Sequence, residues 1–298
     1  NENINKITKA NVFFKLENLQ STGSFKIRGA TNKIDNLNLS QKQKGVVAFS
    51  SGNHAQAVAY VSMINKINAK IVMPKSAPQI KINNTIKYGA EVILYDDFFE
   101  SREEIGNKIA KDENRVLIKP FDDEDVISGQ GTSGLEISRD LNSLKIIPDI
   151  YLCCCGGGGL IAGTSTYLKH SFPKIICYSV EPEEFNDTQI SLKQNKIVSV
   201  KKGSRSICDA LLAPQPGNIT FDINKKILSG GLSVSDYEVK NTIIKLAEEL
   251  KIIVEPGGAV ATAALLNNKL DVTNKTVVVM VSGGNIDNNF FSKIVNKI

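Results

Sequence analysis

The chain has 298 residues, of which 42% are hydrophobic and 22% are charged, and its formal net charge at pH 7 is +5. This is ordinary globular composition, and the length is enough for about two domains. The lysines are spread among acidic residues, and only 6% of the residues are aromatic, with no tryptophan. We therefore expect no nucleic-acid partner and no binding to a membrane surface.

The chain has five cysteines, and three of them are consecutive, Cys153 to Cys155. Inside an apolar run such residues are typical small buried hydrophobes, and the sequence has no Cys-x-x-Cys pair of the metal-binding kind. We expect the thiols to stay reduced and the protein to be cytoplasmic. We see no signal-peptide pattern and no apolar run long enough to span a bilayer, so we expect no membrane partner.

Strand patterns alternate with helix patterns along most of the chain. After a helix from Lys26 to about Leu37, strands are predicted at 45–50, 69–75, 90–95 and 115–121, with helices at 54–65, 78–88 and 98–112. A second series has strands at 149–155, 174–181 and 276–282 and helices at 160–170 and 235–250. This alternation predicts parallel sheets with helices on both faces, and a ligand site at the carboxyl ends of the strands.

The segment Ser24-Phe25-Lys26-Ile27-Arg28-Gly29-Ala30 places one lysine between an aromatic and a β-branched residue. Partial desolvation would lower the pKa of this amine and leave some of it neutral at pH 7. Because only a neutral amine attacks a carbonyl carbon, Lys26 is a candidate for Schiff-base formation. The alternative is a surface lysine on the first turn of a helix.

Two further loops follow predicted strands. In Ser50-Ser51-Gly52-Asn53-His54, small residues allow the backbone to approach a ligand, and the helix start offers free N–H groups to an anion. The alternative is a turn that Asn53 caps. In Ser282-Gly283-Gly284-Asn285, the serine hydroxyl could meet a ring nitrogen, although the same residues also suit an ordinary turn.

Four consecutive glycines, Gly156 to Gly159, join a predicted strand to a predicted helix. A tight turn needs one or two glycines, so four indicate a set of N–H groups around a phosphate, supported by a helix dipole. Gly157-x-Gly159-x-x-Ala162, with Glu181 about twenty residues on, also fits the dinucleotide fingerprint. An NAD-dependent dehydrogenase is therefore an alternative at this point.

Taken in order with Glu255-Pro256-Gly257-Gly258-Ala259, these segments resemble the serine racemase and threonine dehydratase family from about Val12 to Asp287. Members of this family are pyridoxal-phosphate enzymes with the tryptophan-synthase-β-like fold. The resemblance implies an α/β fold with two open, mostly parallel sheets and flanking helices. The cofactor would lie in the cleft between a large domain (1–40 and 126–298) and a small mobile domain (41–125). It also implies a homodimer.

The resemblance implies a role for each site residue. Lys26 would hold pyridoxal 5′-phosphate as a Schiff base and, once displaced by substrate, act as the base at Cα. Phe25 would pack against the pyridine ring of the cofactor, Asn53 would form a hydrogen bond with its 3-hydroxyl, and Ser282 would meet its ring nitrogen. Glu255 would lie near the ring. The 5′-phosphate would bind to Gly156, Gly157, Gly158 and Gly159. The substrate carboxylate would lie at the helix start formed by Ser50, Ser51, Gly52, Asn53 and His54.

The implied reaction is β-elimination from a small hydroxy amino acid, which gives a 2-oxo acid and ammonia from L-serine or L-threonine. In racemases that the chain resembles, the serine matching Ser51 stands on the opposite face of the cofactor from the lysine and can reprotonate Cα there. We therefore expect dehydration, with serine racemisation as a second or even the main activity. Arg28 or Arg205 could meet a second carboxylate, so 3-hydroxyaspartate is an alternative substrate.

The segment from Glu181 to Asp187 resembles the divalent-cation loop of serine racemases. Glu181, Asp187 and the main-chain carbonyl of Phe185 stand at the positions of the ligands. Oxygen donors of this kind suit Mg²⁺ or Ca²⁺. The alternative is a solvated acidic loop without a metal.

Overall fold

The computed structural model describes residues 1–50, 52–77, 79–96 and 98–296. Within these residues the chain forms nine strands, which are β1 (Asn11–Leu16), β2 (Val46–Phe49), β3 (Ala69–Pro74), β4 (Glu91–Tyr95), β5 (Val116–Leu117), β6 (Ile150–Cys154), β7 (Ile176–Pro182), β8 (Gly230–Val234) and β9 (Thr276–Val281). The same residues form thirteen α-helices, which are α1 (Glu2–Thr8), α2 (Lys26–Asp35), α3 (Leu39–Lys44), α4 (Asn53–Ile64), α5 (Gln79–Lys87), α6 (Arg102–Asp112), α7 (Glu124–Ser143), α8 (Gly159–Ser171), α9 (Asp187–Gln194), α10 (Asn218–Ile227), α11 (Asp236–Leu250), α12 (Pro256–Leu266) and α13 (Asn288–Val295). Short 3-10 turns lie at Glu17–Leu19, Glu183–Phe185 and Asp209–Leu211.

The strands form two sheets. The large sheet has the order β1-β9-β6-β7-β8 and the small sheet the order β4-β3-β2-β5. Every neighbouring pair of strands is parallel. The central strands β6 and β9 are nearly continuous apolar runs, as expected for strands that helices cover on both faces. The predicted α/β fold with two parallel sheets and flanking helices is confirmed.

The helix α2, which begins at Lys26, contacts both halves of the molecule. Its residues Ala30 and Ile34 belong to the core of the small sheet, together with Val46 and Val58. On another side α2 packs along α7, whose Ile137 and Leu141 belong to the hydrophobic core of the large sheet. The division into a large domain (1–40 and 126–298) and a small mobile domain (41–125) stays a proposal, and α2 lies where these two units would meet.

The twenty-residue helix α7 was not predicted, because its three glycines interrupt a helix pattern. The structure explains one of them directly: a Cβ at Gly129 would lie 2.6 Å from the carbonyl oxygen of Arg28. Gly129 therefore lets α7 approach the backbone of α2 closely. The helix α12 was not predicted either, because the sequence Pro-Gly-Gly at its start is typical of a turn. In the structure Pro256 lies in the first turn of the helix, a position that proline favours.

Two predicted elements are shorter than expected. The strand predicted at 115–121 is only β5, Val116–Leu117, because the chain then leaves the sheet. The helix predicted from residue 98 begins at Arg102, where the Ser101 hydroxyl accepts a hydrogen bond from the N–H of Glu104.

Among the described residues, no helix is both long and apolar enough to cross a lipid bilayer.

Candidate active site

A cavity of about 510 Å³ lies where the carboxyl ends of the two sheets face each other. This volume is within the usual range for a small-molecule site. The cavity is lined by nearly all the residues predicted to bind cofactor or substrate, which are Phe25, Lys26, Ser50, Gly52, Asn53, His54, Gly156, Gly157, Gly158, Gly159, Glu255 and Ser282. The remaining one, Ser51, lies outside the described residues.

The start of α2 is fixed to the loop that follows β9. Ser24 and Gly283 form an antiparallel bridge, and the N–H of Phe25 donates to the carbonyl of Ser282 at 3.1 Å. The N–H of Gly284 donates to the carbonyl of Gly23 at 2.9 Å. Two motifs more than 250 residues apart in sequence are thereby joined, and the lysine and the serine hydroxyl face the same cavity.

The side chain of Lys26 is partly buried, and its ε-amino group lies in the cavity. Its Nζ donates a hydrogen bond to the carbonyl of Pro120 at 2.5 Å and lies 5.1 Å from the centre of the Phe25 ring. Burial disfavours the charged form and lowers the pKa of Lys26 to about 8. At pH 7 roughly one amine in ten is then neutral, far more than for a lysine in water.

The four glycines Gly156–Gly159, hereafter the glycine turn, lie between β6 and α8. Gly158 has a φ of 92°, a left-handed conformation that glycine adopts without strain. A Cβ at Gly157 would overlap the ring of Phe121. Within the described residues, the four glycine N–H groups donate to no protein acceptor. Free N–H groups at the start of a helix are suited to a phosphate.

A buried hydrogen-bond chain connects α4, α12 and the loop after β9. The Nδ2 of Asn53 donates to Oε1 of Glu255 at 2.5 Å, and the Nδ2 of Asn285 donates to Oδ1 of Asn53 at 2.8 Å. Burial raises the pKa of Glu255 to about 7. The other carboxylate oxygen of Glu255 has no hydrogen-bond partner among the described residues. The sequence contained Asn285 in its Ser-Gly-Gly-Asn motif, but no role was predicted for it.

His54 is a neutral imidazole. Its Nε2 lies 2.9 Å from the carbonyl of Ile118 and must donate to it. Burial, followed by the nearby charge of Lys26, lowers the pKa of His54 to about 3. The remaining nitrogen, Nδ1, is then a hydrogen-bond acceptor without a partner among the described residues, so His54 brings neither a positive charge nor a free N–H to an anion at the start of α4.

Two cationic side chains that line the cavity were missed by the sequence analysis. Lys81, only 3% exposed, crosses from α5 to form an ion pair with Asp209. Burial opposes its charge, but Glu255 and Asp209 raise the pKa of Lys81 above its ordinary value. Arg102 lies 5.9 Å from the centre of the Phe49 ring. In the sequence both residues resemble solvent-exposed charged residues of a helix, and only the fold places them at the cavity.

The two arginines considered for a second carboxylate do not line the cavity. The guanidinium of Arg28 binds Glu17 at 2.7 Å and Glu136 at 2.5 Å, so it joins α2 to the 3-10 turn after β1 and to α7. Arg205 is exposed. Arg28 is therefore a structural residue, and the structure gives Arg205 no place in the site.

The cysteines confirm one expectation and add a finding. All five are free and buried. Cys154 and Cys155 also line the cavity, on the same wall as Ser282. Hydrogen bonding from Cys153 lowers the pKa of Cys154.

The predicted metal residues lie outside the cavity, at the end of β7 and the start of α9. Both oxygens of Glu181 accept backbone hydrogen bonds, from Thr188 at 2.8 Å and Gln189 at 2.7 Å. Asp187 is also buried, and its Oδ2 has no partner among the described residues. Burial raises the pKa of both carboxyl groups, and that of Asp187 reaches about 7. Phe185 lies in the 3-10 turn between them.

The geometry at Glu181 argues against a dinucleotide. In a dinucleotide-binding enzyme the carboxylate of Glu181 would bind a ribose. Here the side chain is fully buried, accepts hydrogen bonds from the backbone of α9, and does not line the cavity. An enclosed lysine with a lowered pKa, facing a glycine turn with free N–H groups, instead defines an enzyme that binds a phosphorylated aldehyde.

Comparison with known proteins gives the family. The profile described as pyridoxal-phosphate dependent enzyme matches residues 2–283, and the chain belongs to this family. It is 41% identical over 294 residues to an L-threonine ammonia-lyase of Thermotoga maritima, covering 99% of the chain and 72% of that enzyme. It is 40% identical over 284 residues to a serine racemase of Schizosaccharomyces pombe, covering 95% and 86%. The crystal structure of a serine racemase from Dictyostelium discoideum superposes with a TM-score of 0.88 at 37% identity, covering 96% of this chain and 91% of that one.

The cavity fits pyridoxal 5′-phosphate as its cofactor. Lys26 supplies an amine that is partly neutral, and the glycine turn supplies N–H donors without protein acceptors. Ser282, at the end of β9, supplies a hydroxyl on the same wall. These three features match the aldehyde, the phosphate and the ring nitrogen of the cofactor.

The lowered pKa of Lys26 gives a pH prediction for protein freed of cofactor. The rate of imine formation with pyridoxal phosphate should rise with pH, because the neutral fraction rises, and should level off above about pH 8. A stopped-flow absorbance series from pH 6.5 to 10 measures this rate. Lys26→Ala gives the background from surface lysines. A rate that keeps climbing through pH 10, as for an ordinary lysine, would contradict the enclosed amine.

Proposed function

We propose that this protein eliminates water from L-serine or L-threonine, and that the enamine released is then hydrolysed by water to the 2-oxo acid and ammonia. The observation that carries the proposal is the enclosed Lys26 amine, opposite the glycine turn and beside the start of α4. The similarity to an L-threonine ammonia-lyase and to serine racemases supports small hydroxy amino acids as the substrate class.

When bound, pyridoxal phosphate withdraws electrons from the substrate Cα and so makes its hydrogen acidic. Lys26 would hold the cofactor until the substrate amine replaces it. The freed Lys26 amine is then a base of suitable pKa for the Cα proton. The proton that Lys26 gains is available to the departing β-hydroxyl, which leaves as water.

The start of α4 is proposed to bind the substrate carboxylate. Its N–H groups and helix dipole favour an anion, and neutral His54, whose N–H is donated to the Ile118 carbonyl, adds no competing salt bridge. Lys81 lies against this loop, since a Cβ at Gly52 would be 3.2 Å from its Nζ. That positive charge adds to the attraction for a carboxylate.

Serine racemisation is proposed as a second activity, in view of the similarity to racemases in sequence and in structure. It requires a proton donor on the face of Cα opposite Lys26, and Ser51 remains the candidate for that role. 3-Hydroxyaspartate remains an alternative substrate, because Arg102 lines the cavity and its guanidinium could meet a second carboxylate.

We further propose that the protein is a cytoplasmic homodimer with a mobile small domain. Free, buried cysteines suit a reducing compartment. The dimer is an implication of the family resemblance. The ion pair between Lys81 and Asp209 joins a helix beside the small sheet to the 3-10 turn beside the large sheet, and it would have to break if the small domain moved away.

We propose that Glu181, Asp187 and the Phe185 carbonyl bind Mg²⁺ or Ca²⁺. Two buried carboxylates at one sheet end, one with an oxygen that lacks a partner, suit a hard cation better than a solvated loop. The described residues contain no cluster of three or more His, Cys, Asp or Glu side chains that could hold a metal, so the third ligand would be the carbonyl, with waters completing the shell.

Lys26→Ala tests the proposed reaction. With pyridoxal phosphate added, wild type should convert L-serine or L-threonine to a 2-oxo acid, and the variant should lose at least about three orders of magnitude in kcat, because base and attachment point are both gone. Coupled reduction of the 2-oxo acid measures turnover, and chiral chromatography of the L-serine reaction detects D-serine. A panel with both 3-hydroxyaspartate diastereomers compares substrates.

Lys201→Ala, which removes an exposed lysine, is the matched control and should retain full activity. Undiminished turnover by Lys26→Ala would reject the mechanism. Absence of D-serine from wild type would remove racemisation while leaving the elimination intact.

Chelation tests the metal. Adding Mg²⁺ or Ca²⁺ to chelator-treated protein at about 100 times the dissociation constant should raise Tm by roughly 5–10 °C, since a cation bound only to the folded state stabilises it by about 2.7 kcal/mol. Asp187→Asn should lose this rise, whereas Asp140→Asn, an exposed control, should keep it. A wild-type Tm that is indifferent to both cations would contradict the site.

A further inference from the structure

The carbonyl groups of the glycine turn point toward α10. The carbonyl of Gly157 accepts hydrogen bonds from the Thr220 hydroxyl at 2.6 Å and from the Gly217 N–H at 3.2 Å. The carbonyl of Gly158 accepts from the N–H of Ala162, in α8, at 3.0 Å and from Nδ2 of Asn224 at 3.4 Å. Thr220 and Asn224 are buried and do not line the cavity, whereas the glycines do.

Peptide geometry converts these contacts into an orientation of the N–H groups. In a planar trans peptide the C=O of one residue and the N–H of the next point in opposite directions. Holding the Gly157 carbonyl against α10 therefore turns the Gly158 N–H away from α10, toward the cavity. The Gly158 carbonyl is held by the Ala162 N–H together with Asn224, so the N–H of Gly159 points outward from the start of α8.

α10 is itself fixed by the segment beside Lys26. Oδ1 of Asp122 accepts hydrogen bonds from the N–H groups of Ile219 at 2.8 Å and Thr220 at 3.3 Å, which satisfies free donors in the first turn of the helix. The preceding residue, Phe121, packs against the other side of the glycine turn, so a Cβ at Gly159 would lie 3.0 Å from its carbonyl oxygen. The turn is thus held between Phe121 and α10.

We propose that Thr220, assisted by Asn224, is a positioning residue that aims the Gly158 and Gly159 N–H groups at the cofactor phosphate. This rests on the proposed function, because it takes pyridoxal phosphate as the occupant of the cavity. The role is specific to the phosphate: the aldehyde end of the cofactor, at Lys26, does not depend on the Thr220 hydroxyl.

The test compares pyridoxal phosphate with pyridoxal, which lacks the phosphate. In Thr220→Val the Kd of cofactor-free protein for pyridoxal phosphate should rise on the order of tenfold, as expected for misdirected hydrogen bonds to a charged group. The Kd for pyridoxal should stay within about twofold. Equilibrium dialysis measures both. Thr220→Ser retains a hydroxyl and should restore the wild-type affinity.

Thr242→Val is the matched control, because it removes a buried hydroxyl that donates only to the Glu238 carbonyl of its own helix α11. It should change neither Kd. Equal weakening of both compounds in Thr220→Val, or no weakening of pyridoxal phosphate, overturns the assignment. If Thr220→Val does not fold, Asn224→Ala must raise the Kd for pyridoxal phosphate and leave the Kd for pyridoxal nearly unchanged. An equal rise of both Kd values in Asn224→Ala overturns the assignment. Wild-type protein that binds neither compound would overturn the proposed function and this assignment together.

Discussion

The burial of one amine is the constraint on which the site depends. Lys26 occupies the first turn of α2, where a side chain would normally reach solvent, yet its side chain is partly buried and its Nζ donates to the Pro120 carbonyl. A single neutral acceptor does not compensate the charge of an ammonium group as a carboxylate would. The amine is therefore kept partly uncharged, which is the state that reacts with carbonyl carbon.

Three consecutive residues connect the two ends of this cavity. Pro120 accepts the hydrogen bond of Lys26, Phe121 packs on the glycine turn, and Asp122 binds the first turn of α10. They follow β5, which ends after two residues. The early end of that strand, which shortens the predicted element, frees the chain to run past the cavity. A displacement of this segment would alter the lysine and the glycine turn together, so the two ends of the site share one support.

The sequence allowed the architecture and the lining of the cavity to be predicted because both depend on local chemistry. Alternating strand and helix patterns indicate parallel sheets, and loops after parallel strands meet at one edge. Lys81 and Arg102 could not be found this way, because a lysine or arginine in a charged helix looks the same whether it faces solvent or a cavity. Thr220 and Asn224 also gave no signal, since their function depends on carbonyl groups more than 60 residues away. α7 was missed because its glycines serve packing against α2 rather than a turn.

The most direct measurement of the central claim is chemical trapping at the lysine. Protein loaded with pyridoxal phosphate is reduced with borohydride, digested and analysed by mass spectrometry for the phosphopyridoxyl group. The account predicts one predominant labelled peptide, with the added mass on Lys26, and loss of that label in the presence of excess substrate. Labelling spread over surface lysines, with the peptide containing Lys26 unmodified, would contradict it.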